Sequence, residues 1–390
     1  MHRVTVAYLD HTARWSGGEI ALFHLLSHMK EGVQPLVILA EEGPLADRMR
    51  SRGIEVRIVP LSEKVRSRGR HQFGLSLLTS AIALLRYGRK VGSILKEEQV
   101  QLVHTNSLKS ALYGVIAAKI ARVPLVWHIR DQISSPYLKP PVAKTIRLLA
   151  RICPKGIIAN SVSTLETLKL PKQRKAKTAV VYSCFAGRMD QQTKVARTSR
   201  LFHVLLAGRL AEWKGQHVFI EAAALLKEQY AIHFWIAGDA LFGEQAYKRQ
   251  LEMKIRSHGL TNVSMLGHVE QMKELMESAD LLVHTSITPE PFGQVIVEGM
   301  ACGLPVVASN AGGPREIVVH GETGLLIEPN QPEILAEAIS WMVQNPKPRQ
   351  LMGERGRERV VQQFTMEQSV HKVNDLYHSL LWGSTAKAAE

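Results

Sequence analysis

Residues 202–226 read FHVLLAGRLAEWKGQHVFIEAAALL. An apolar run of strand length, 202–207, leads into Gly208-Arg209-Leu210, then Lys214-Gly215, and then a helix-length apolar stretch. A buried strand, a glycine-bearing loop and a helix make one unit of a parallel sheet covered by helices. The unit recurs downstream: 232–237, 263–266, 281–284, 306–308 and 325–327 are strand candidates with helices between, followed by helices over 331–344 and from 354 onward. It recurs upstream as well, with strands at 4–9, 36–40, 54–59, 102–104, 124–128 and 157–159. Helices over 19–30 and 44–51 fall among these, the second closed by Gly53. The polar segment 169–200 breaks the alternation and holds one strand near 179–182. The pattern predicts an α/β fold of two Rossmann-like, doubly wound domains in tandem.

Length and composition agree. A chain of 390 residues exceeds what one hydrophobic core usually serves. With 45% hydrophobic and 22% charged residues, long disorder is not expected. The longest near-apolar runs, such as 111–121, fall well short of the ~20 residues a membrane span needs. No signal peptide is expected. Cys153, Cys184 and Cys302 are too scattered for a disulfide framework or a zinc site, so the expected setting is the cytoplasm. Charge is divided unevenly: residues 1–200 carry 33 Lys and Arg against 13 Asp and Glu, residues 201–390 carry 16 against 22. A basic half beside a mildly acidic one suggests a domain facing an anionic partner, or a solvated basic surface.

Open parallel sheets bind ligands beyond the carboxyl ends of their strands, so glycines and charges in those loops carry most information. Arg209 and Lys214, on one strand-to-helix loop, could form a diphosphate pocket, arginine as a planar fork and lysine as a point charge; two solvated surface cations are the alternative. Downstream, Glu290-Pro291-Phe292-Gly293-Gln294-Val295-Ile296-Val297-Glu298 delays helix initiation to about Gly293, with Gly303 as the stop. Glu290 then lies in the loop and Glu298 more than one turn inside an otherwise apolar helix, where a bare charge is costly. The helix N-terminus could collect phosphate oxygens, and the carboxylates vicinal hydroxyls. Near the N-terminus, Ser16-Gly17-Gly18-Glu19 permits close backbone approach at a helix start, or equally a capping box of Ser16 with Glu19.

Taken in order along nearly the whole chain, these motifs resemble the retaining glycosyltransferases of the GT-B fold in family GT4 (glycosyl transferases group 1). The resemblance rests on Gly208-Arg209-Leu210 with Lys214-Gly215, and on the E-x7-E pair Glu290 and Glu298 around Phe292-Gly293. Gly238-Asp239, Gly267-His268-Val269, residues 300–308 and Gly312-Gly313-Pro314-Arg315-Glu316 support it. So do Gly17-Gly18-Glu19, Gly43-Pro44-Leu45, Gly53-Ile54-Glu55-Val56 and Trp127-His128-Ile129-Arg130-Asp131.

The resemblance implies an acceptor-binding domain over 1–185, a linker over 186–200, a nucleotide-sugar-binding domain over 201–370, and a C-terminal helix over 371–390 packing back on the first domain. It implies that Arg209 and Lys214 neutralise the diphosphate, Glu298 holds the ribose, and Glu290 with the backbone after it binds the donor sugar. Gly17 and Gly18 would bring their loop to the phosphates. His128 would hydrogen-bond near the donor sugar, and the other histidines, His104 and His284 included, would be structural. Gly208, Gly238, His268, Phe292, Gly293, Gln294 and Val295 complete the implied substrate-binding set.

The expected activity is hexose transfer from a nucleotide-diphosphate sugar, UDP-linked by preference, to a lipid-linked or saccharide acceptor in surface polysaccharide or glycolipid assembly. No Asp-x-Asp occurs, so no metal and no cofactor are expected. The cluster Arg66, Arg68, Arg70, Arg86, Arg89, Lys90 and Lys96, interleaved with Phe73, Leu77, Leu78 and Leu84, suits an anionic membrane surface carrying a polyprenyl-pyrophosphate-linked acceptor. Peripheral association with the inner face of the cell membrane is therefore expected. Competing readings are a nucleotide-sugar 2-epimerase on the same fold, a catalytically silent binding module, and a nucleic-acid-binding protein. Against the last, the chain has no zinc module, RNA-recognition signature or helix-turn-helix, and no nucleic-acid partner is expected.

Overall fold

The computed structural model describes residues 3–29, 32–62, 76–135, 137–173, 176–185, 201–241 and 243–383. The chain divides into two compact units, one of Met1–Cys184 with Met366–Glu390 and one of Phe185–Thr365. The linker expected over 186–200 lies outside the described residues.

The first unit contains β1 (Val4–Asp10), β2 (Val33–Leu39), β3 (Glu55–Ile58), β4 (Leu102–Thr105), β5 (Leu125–Ile129), β6 (Gly156–Ala159) and β7 (Lys177–Val180). All pairs are parallel, in the order β3-β2-β1-β4-β5-β6-β7. β4, β5 and β6 are buried along their whole length, which is why they read as unbroken apolar runs. β2 begins at Val33, three residues before the expected start, and includes Pro35. Its pairing with β3 begins only at Leu36, so at Pro35 one side of β2 has no ladder to interrupt. Helices Ser76–Glu97 and Leu108–Ala121 share one core with the sheet, where Tyr87 and Tyr113 meet edge to face at 4.8 Å.

The second unit holds β8 (Phe202–Ala207), β9 (Ile232–Ala237), β10 (Val263–Gly267), β11 (Leu281–His284), β12 (Val306–Ser309) and β13 (Leu325–Ile327). These are parallel in the order β10-β9-β8-β11-β12-β13. Helices Gln216–Leu226 and Pro332–Gln344 pack on the sheet around Phe219, Phe234 and Ile339. Each sheet reverses its winding direction once, at β1/β4 and at β8/β11. Loops diverge at such a point and leave a crevice at the carboxyl ends of the strands. The two doubly wound sheets match the predicted fold class.

Helix ends differ from expectation in two instructive places. The helix expected over 19–30 spans Gly17–Ser27, so both glycines fall inside its first turn. The helical stretch expected from 354 onward is two helices, Pro346–Gln363 and Met366–Leu381. Pro346 sits at the first helical position, which suits its fixed φ, and Phe364 leaves helical geometry to bury its ring 6.1 Å from that of Phe292. Helix Met366–Leu381 belongs to the first unit, with Leu376 and Leu380 against Gly156.

Candidate functional site

In the second unit the switch-point strands β8 and β11 end at Ala207 and His284. The loop after β8 makes a single 3-10 turn, Glu212–Lys214, and turns into helix Gln216–Leu226 at Gly215. Gly215 has φ +70°, and a Cβ there would lie 2.0 Å from the Thr285 carbonyl oxygen, so only glycine fits. Thr285 Oγ1 donates to Lys214 O at 2.9 Å and Ile287 N to Trp213 O at 2.9 Å. The two loops are thus stitched by one side-chain-to-backbone and one backbone-to-backbone hydrogen bond. At the neighbouring β9 turn, Gly238 packs directly on Gly208, where a Cβ would meet the carbonyl oxygen of Gly208 at 2.0 Å.

This stitching aims Lys214 at Glu290. Lys214 Nζ lies 2.8 Å from each carboxylate oxygen and 4.5 Å from the Trp213 ring centroid. Ser286 Oγ donates to Glu290 Oε2 at 2.7 Å, and His284 Nε2 stands 3.5 Å from the same oxygen. Burial works against the Glu290 charge, but Lys214 and the His284 hydrogen bond outweigh it and hold the carboxyl well below the ordinary range. Glu290 itself is fixed by a one-residue parallel bridge to Gly312, with Gly313 N donating to its carbonyl at 2.8 Å.

Arg209 is ion-paired with Glu244, and Lys214 with Glu290. The loop therefore carries two cations, each with its own carboxylate. Helix Gln294–Ala301 starts directly after Gly293, with Phe292 buried before it and Gln294 and Val295 half-buried in its first turn. Glu298 is half-buried one turn on, accepting from Gln294 Nε2 at 3.0 Å. Burial raises its pKa to about 7, the Gln294 bond offsetting only part of this. A carboxyl whose pKa rises on folding stabilises the protein fully below its unfolded value and loses that contribution as pH climbs through the folded one. Glu298→Gln should therefore flatten the fall in melting temperature between about pH 4.5 and 7. Parallel curves for the two proteins would mean Glu298 is as solvated as in the unfolded chain. Asp239, after Gly238, is held by Lys248 at 2.8 Å, and His268 is exposed after Gly267.

In the first unit, Gly17 and Gly18 open their helix, but the capping box is not formed. The Ser16 side chain caps no backbone N–H and instead donates to the Glu19 carboxyl. Glu19 is buried, and burial first and the nearby Asp10 charge second raise its pKa to about 8. Asn106, just past β4, donates to Asp10 Oδ2 at 2.7 Å and to Gly18 O at 3.2 Å, and accepts from Arg130 Nε at 2.8 Å. His128 is buried near the end of β5, with its Nδ1 3.1 Å from His104 Nε2 and 3.4 Å from Arg130 Nη2.

Sequence reasoning missed Glu244, Ser286, Asp10 and Asn106, and treated His104 and His284 as structural. His104 contacts His128, and His284 contacts Glu290. Their one available signal was position: each is the last or next-to-last residue of an apolar strand beside a switch point.

Known proteins share this architecture. Residues 188–359 match the model for glycosyl transferases group 1, and residues 44–184 that for glycosyltransferase family 4. The chain is 26% identical over 362 residues to the UDP-Gal:alpha-D-GlcNAc-diphosphoundecaprenol alpha-1,3-galactosyltransferase of Escherichia coli, covering 87% of this chain and 88% of that one. It is 32% identical over 178 residues to the lipopolysaccharide core biosynthesis glycosyltransferase LpsE of Rhizobium meliloti, covering 46% of this chain. The alignment spans about half of LpsE's length, 49%. The crystal structure of Anabaena HepE in complex with UDP-glucose superposes with a TM-score of 0.83 at 28% identity, over 97% of this chain and 100% of that one. With a glycosyltransferase model matching each half and a doubly wound sheet in each unit, the chain belongs to the family 4, group 1 glycosyltransferases and has their GT-B fold.

Proposed function

We propose that the protein transfers a hexose-type sugar from a UDP-sugar to a lipid-diphosphate-linked or saccharide acceptor, with retention at the anomeric carbon and without a metal. The observation that carries this reading is the Lys214–Glu290 pair at the β8/β11 crevice, joined by Ser286 and His284. Cation and carboxylate satisfy each other here. A sugar diphosphate supplies replacements for both, phosphate oxygens for Lys214 and sugar hydroxyls for Glu290. Departure of the diphosphate is the step that builds negative charge, and Lys214 with Arg209 would stabilise it in place of a divalent ion. Glu298 would bind the ribose. In the same-face route, the acceptor hydroxyl attacks the anomeric carbon as its bond to phosphate breaks, and the hydroxyl proton passes to the leaving phosphate.

UDP is favoured because HepE was crystallised with UDP-glucose and the Escherichia coli relative is named for UDP-Gal; the latter's named acceptor favours a diphosphate-linked lipid. Among the described residues no helix is long and apolar enough to cross a membrane. Peripheral binding to an anionic surface is supported by helix Ser76–Glu97, where Ile82 and Leu85 are exposed alongside Arg86, Arg89 and Lys90. Leu84 packs on the core instead. Arg66, Arg68, Arg70 and Phe73 lie outside the described residues, as do the side chains of Leu77 and Leu78.

The test is thermal stabilisation by UDP, GDP and ADP, with and without EDTA, alongside Glu298→Ala. Ligand at 100 times its Kd stabilises by about 2.7 kcal/mol, an easily read shift. A rise with UDP, unchanged by EDTA and lost in the variant, is expected. No shift with any nucleotide would overturn the reading, and a shift abolished by EDTA would overturn its metal-free part.

A further inference from the structure

The β1/β4 switch point of the first sheet gathers a separate polar cluster around His11, the residue after β1. Asn106 N donates to Leu9 O at 3.0 Å, which brings Ser107, the cap of helix Leu108–Ala121, to the end of β1. His11 Nδ1 lies 2.8 Å from Ser107 Oγ and 3.1 Å from Asp10 Oδ1. Ser110 Oγ donates to Ser107 O and accepts the Ser107 hydroxyl proton at 3.0 Å. Ser107 Oγ has thus spent its proton and can only accept from the ring. Asp10 is fully buried and also accepts from His11 N at 2.7 Å and from Asn106 Nδ2 at 2.7 Å. Burial opposes its charge, but the His11 and Asn106 bonds outweigh burial and hold the carboxyl below its ordinary value, so it too can only accept. With an acceptor on each side of Nδ1, the neutral ring carries its proton there and leaves a lone pair on Nε2. That atom has no hydrogen-bond partner among the described residues, and the side chain is 22% exposed.

We propose that His11 Nε2 accepts a hydrogen bond from a hydroxyl of the acceptor, and so selects a saccharide or polyol that presents this hydroxyl to the β1/β4 crevice. This rests on the glycosyltransferase reading above and names a residue that chooses the acceptor. Doubly wound sheets bind their ligands at such a switch point. A lone pair beside an ionised carboxylate repels phosphate oxygens and attracts an O–H. The Asp10 bond to Nδ1 polarises the ring and strengthens Nε2 as an acceptor. A ring that only tied the loop to the helix start would not need Asp10, because Ser107 alone takes the Nδ1 proton. Keeping a carboxylate charged at full burial is costly, and here it fixes which face of the imidazole chemistry is left free.

A hydroxyl could also come from the donor sugar, and the experiment separates the two sources. The full-length protein is saturated with UDP and titrated by ligand-observed NMR, as wild type, His11→Ala and His11→Gln. The probes are the methyl glycosides of glucose, galactose, mannose and N-acetylglucosamine, with their monodeoxy analogues. Affinities for UDP, UDP-glucose and UDP-galactose are measured in parallel. The expected result is a glycoside that binds the wild-type complex, weakens about three- to tenfold in His11→Ala, and partly recovers in His11→Gln, whose amide oxygen can accept in place of Nε2. One monodeoxy analogue should be weaker by the same factor in the wild type and no weaker still in His11→Ala, a coupling that a merely structural role would not produce. UDP and UDP-sugar affinities should stay within about twofold. No glycoside binding, or binding indifferent to His11→Ala, overturns the inference while leaving UDP binding intact. A loss of UDP-sugar affinity in His11→Ala also overturns it, because the hydroxyl would then be the donor's. Failure of the wild type to bind UDP overturns the underlying glycosyltransferase reading, a distinct outcome. Should His11→Ala not fold, a two-bond proton–nitrogen NMR spectrum of the wild type at pH 8 tests the same assignment: the His11 ring proton is expected on Nδ1, and finding it on Nε2 overturns the inference.

Discussion

Lys214→Ala is expected to lower turnover of a UDP-sugar by about 10²–10³-fold and to destabilise the protein by about 3–5 kcal/mol at pH 8. The stability loss follows from what remains. Glu290 stays 8% exposed with Ser286 and His284 beside it but with no cation, and breaking one side of a buried pair costs more than the pair itself contributes. The sign with pH is fixed by the depressed Glu290 pKa. In the wild type its contribution is present above the ordinary carboxylate range and is lost as pH falls toward the folded value. In the variant the lone carboxylate prefers its proton, so the penalty should shrink on acidification. Urea denaturation of both proteins at pH 5 and pH 8 measures this. The double variant Lys214→Ala with Glu290→Gln should regain most of the stability and none of the activity, since the diphosphate would still lack its cation. A Lys214→Ala protein within 1 kcal/mol of wild type at pH 8 would mean that the pair is solvated and easily replaced.

Gly215→Ala should cost about 3 kcal/mol and take activity with it. The left-handed backbone alone costs roughly 1–2 kcal/mol for a residue with a Cβ. Here the Cβ also collides with the Thr285 carbonyl, a backbone atom that cannot step aside without opening the Lys214–Thr285 and Trp213–Ile287 hydrogen bonds. Those bonds orient Lys214, so Glu290 loses its partner at the same time. Gly53→Ala is the matched control: φ is +71°, but no atom lies within 4 Å of the added Cβ, so only the backbone cost of about 1–2 kcal/mol applies. Equal melting temperatures for the two variants would show that the loops yield freely and that the stitching does not hold the site.

The fold was legible because its signals are local. A parallel strand buried on both faces must be apolar throughout, and a loop that turns into a helix must change composition, so 202–207 and 125–129 declare themselves. Helix ends were less legible, since Phe364 breaks its helix to fill a gap beside Phe292, a contact between residues 72 apart in the chain.

The candidate site divides the same way. Arg209, Lys214, Glu290 and Glu298 were readable from residue type and spacing, because glycine, proline and charge next to an apolar strand are costly anywhere but at a ligand or a surface. Their partners were not. That Glu244 takes Arg209, that Lys214 reaches Glu290, and that Asn106 links Asp10, Gly18 and Arg130 depends on strand order, and that Ser286 and His284 complete Glu290 depends on how the loop after β11 folds back. Residue type and periodicity are enough to specify two doubly wound sheets and the loops that carry charge. Which charges meet follows from the three-dimensional strand order, because strands adjacent in space, β1 with β4 and β8 with β11, are distant in sequence, and hydrogen bonds and ion pairs act over a few ångströms of space whatever the length of chain between them.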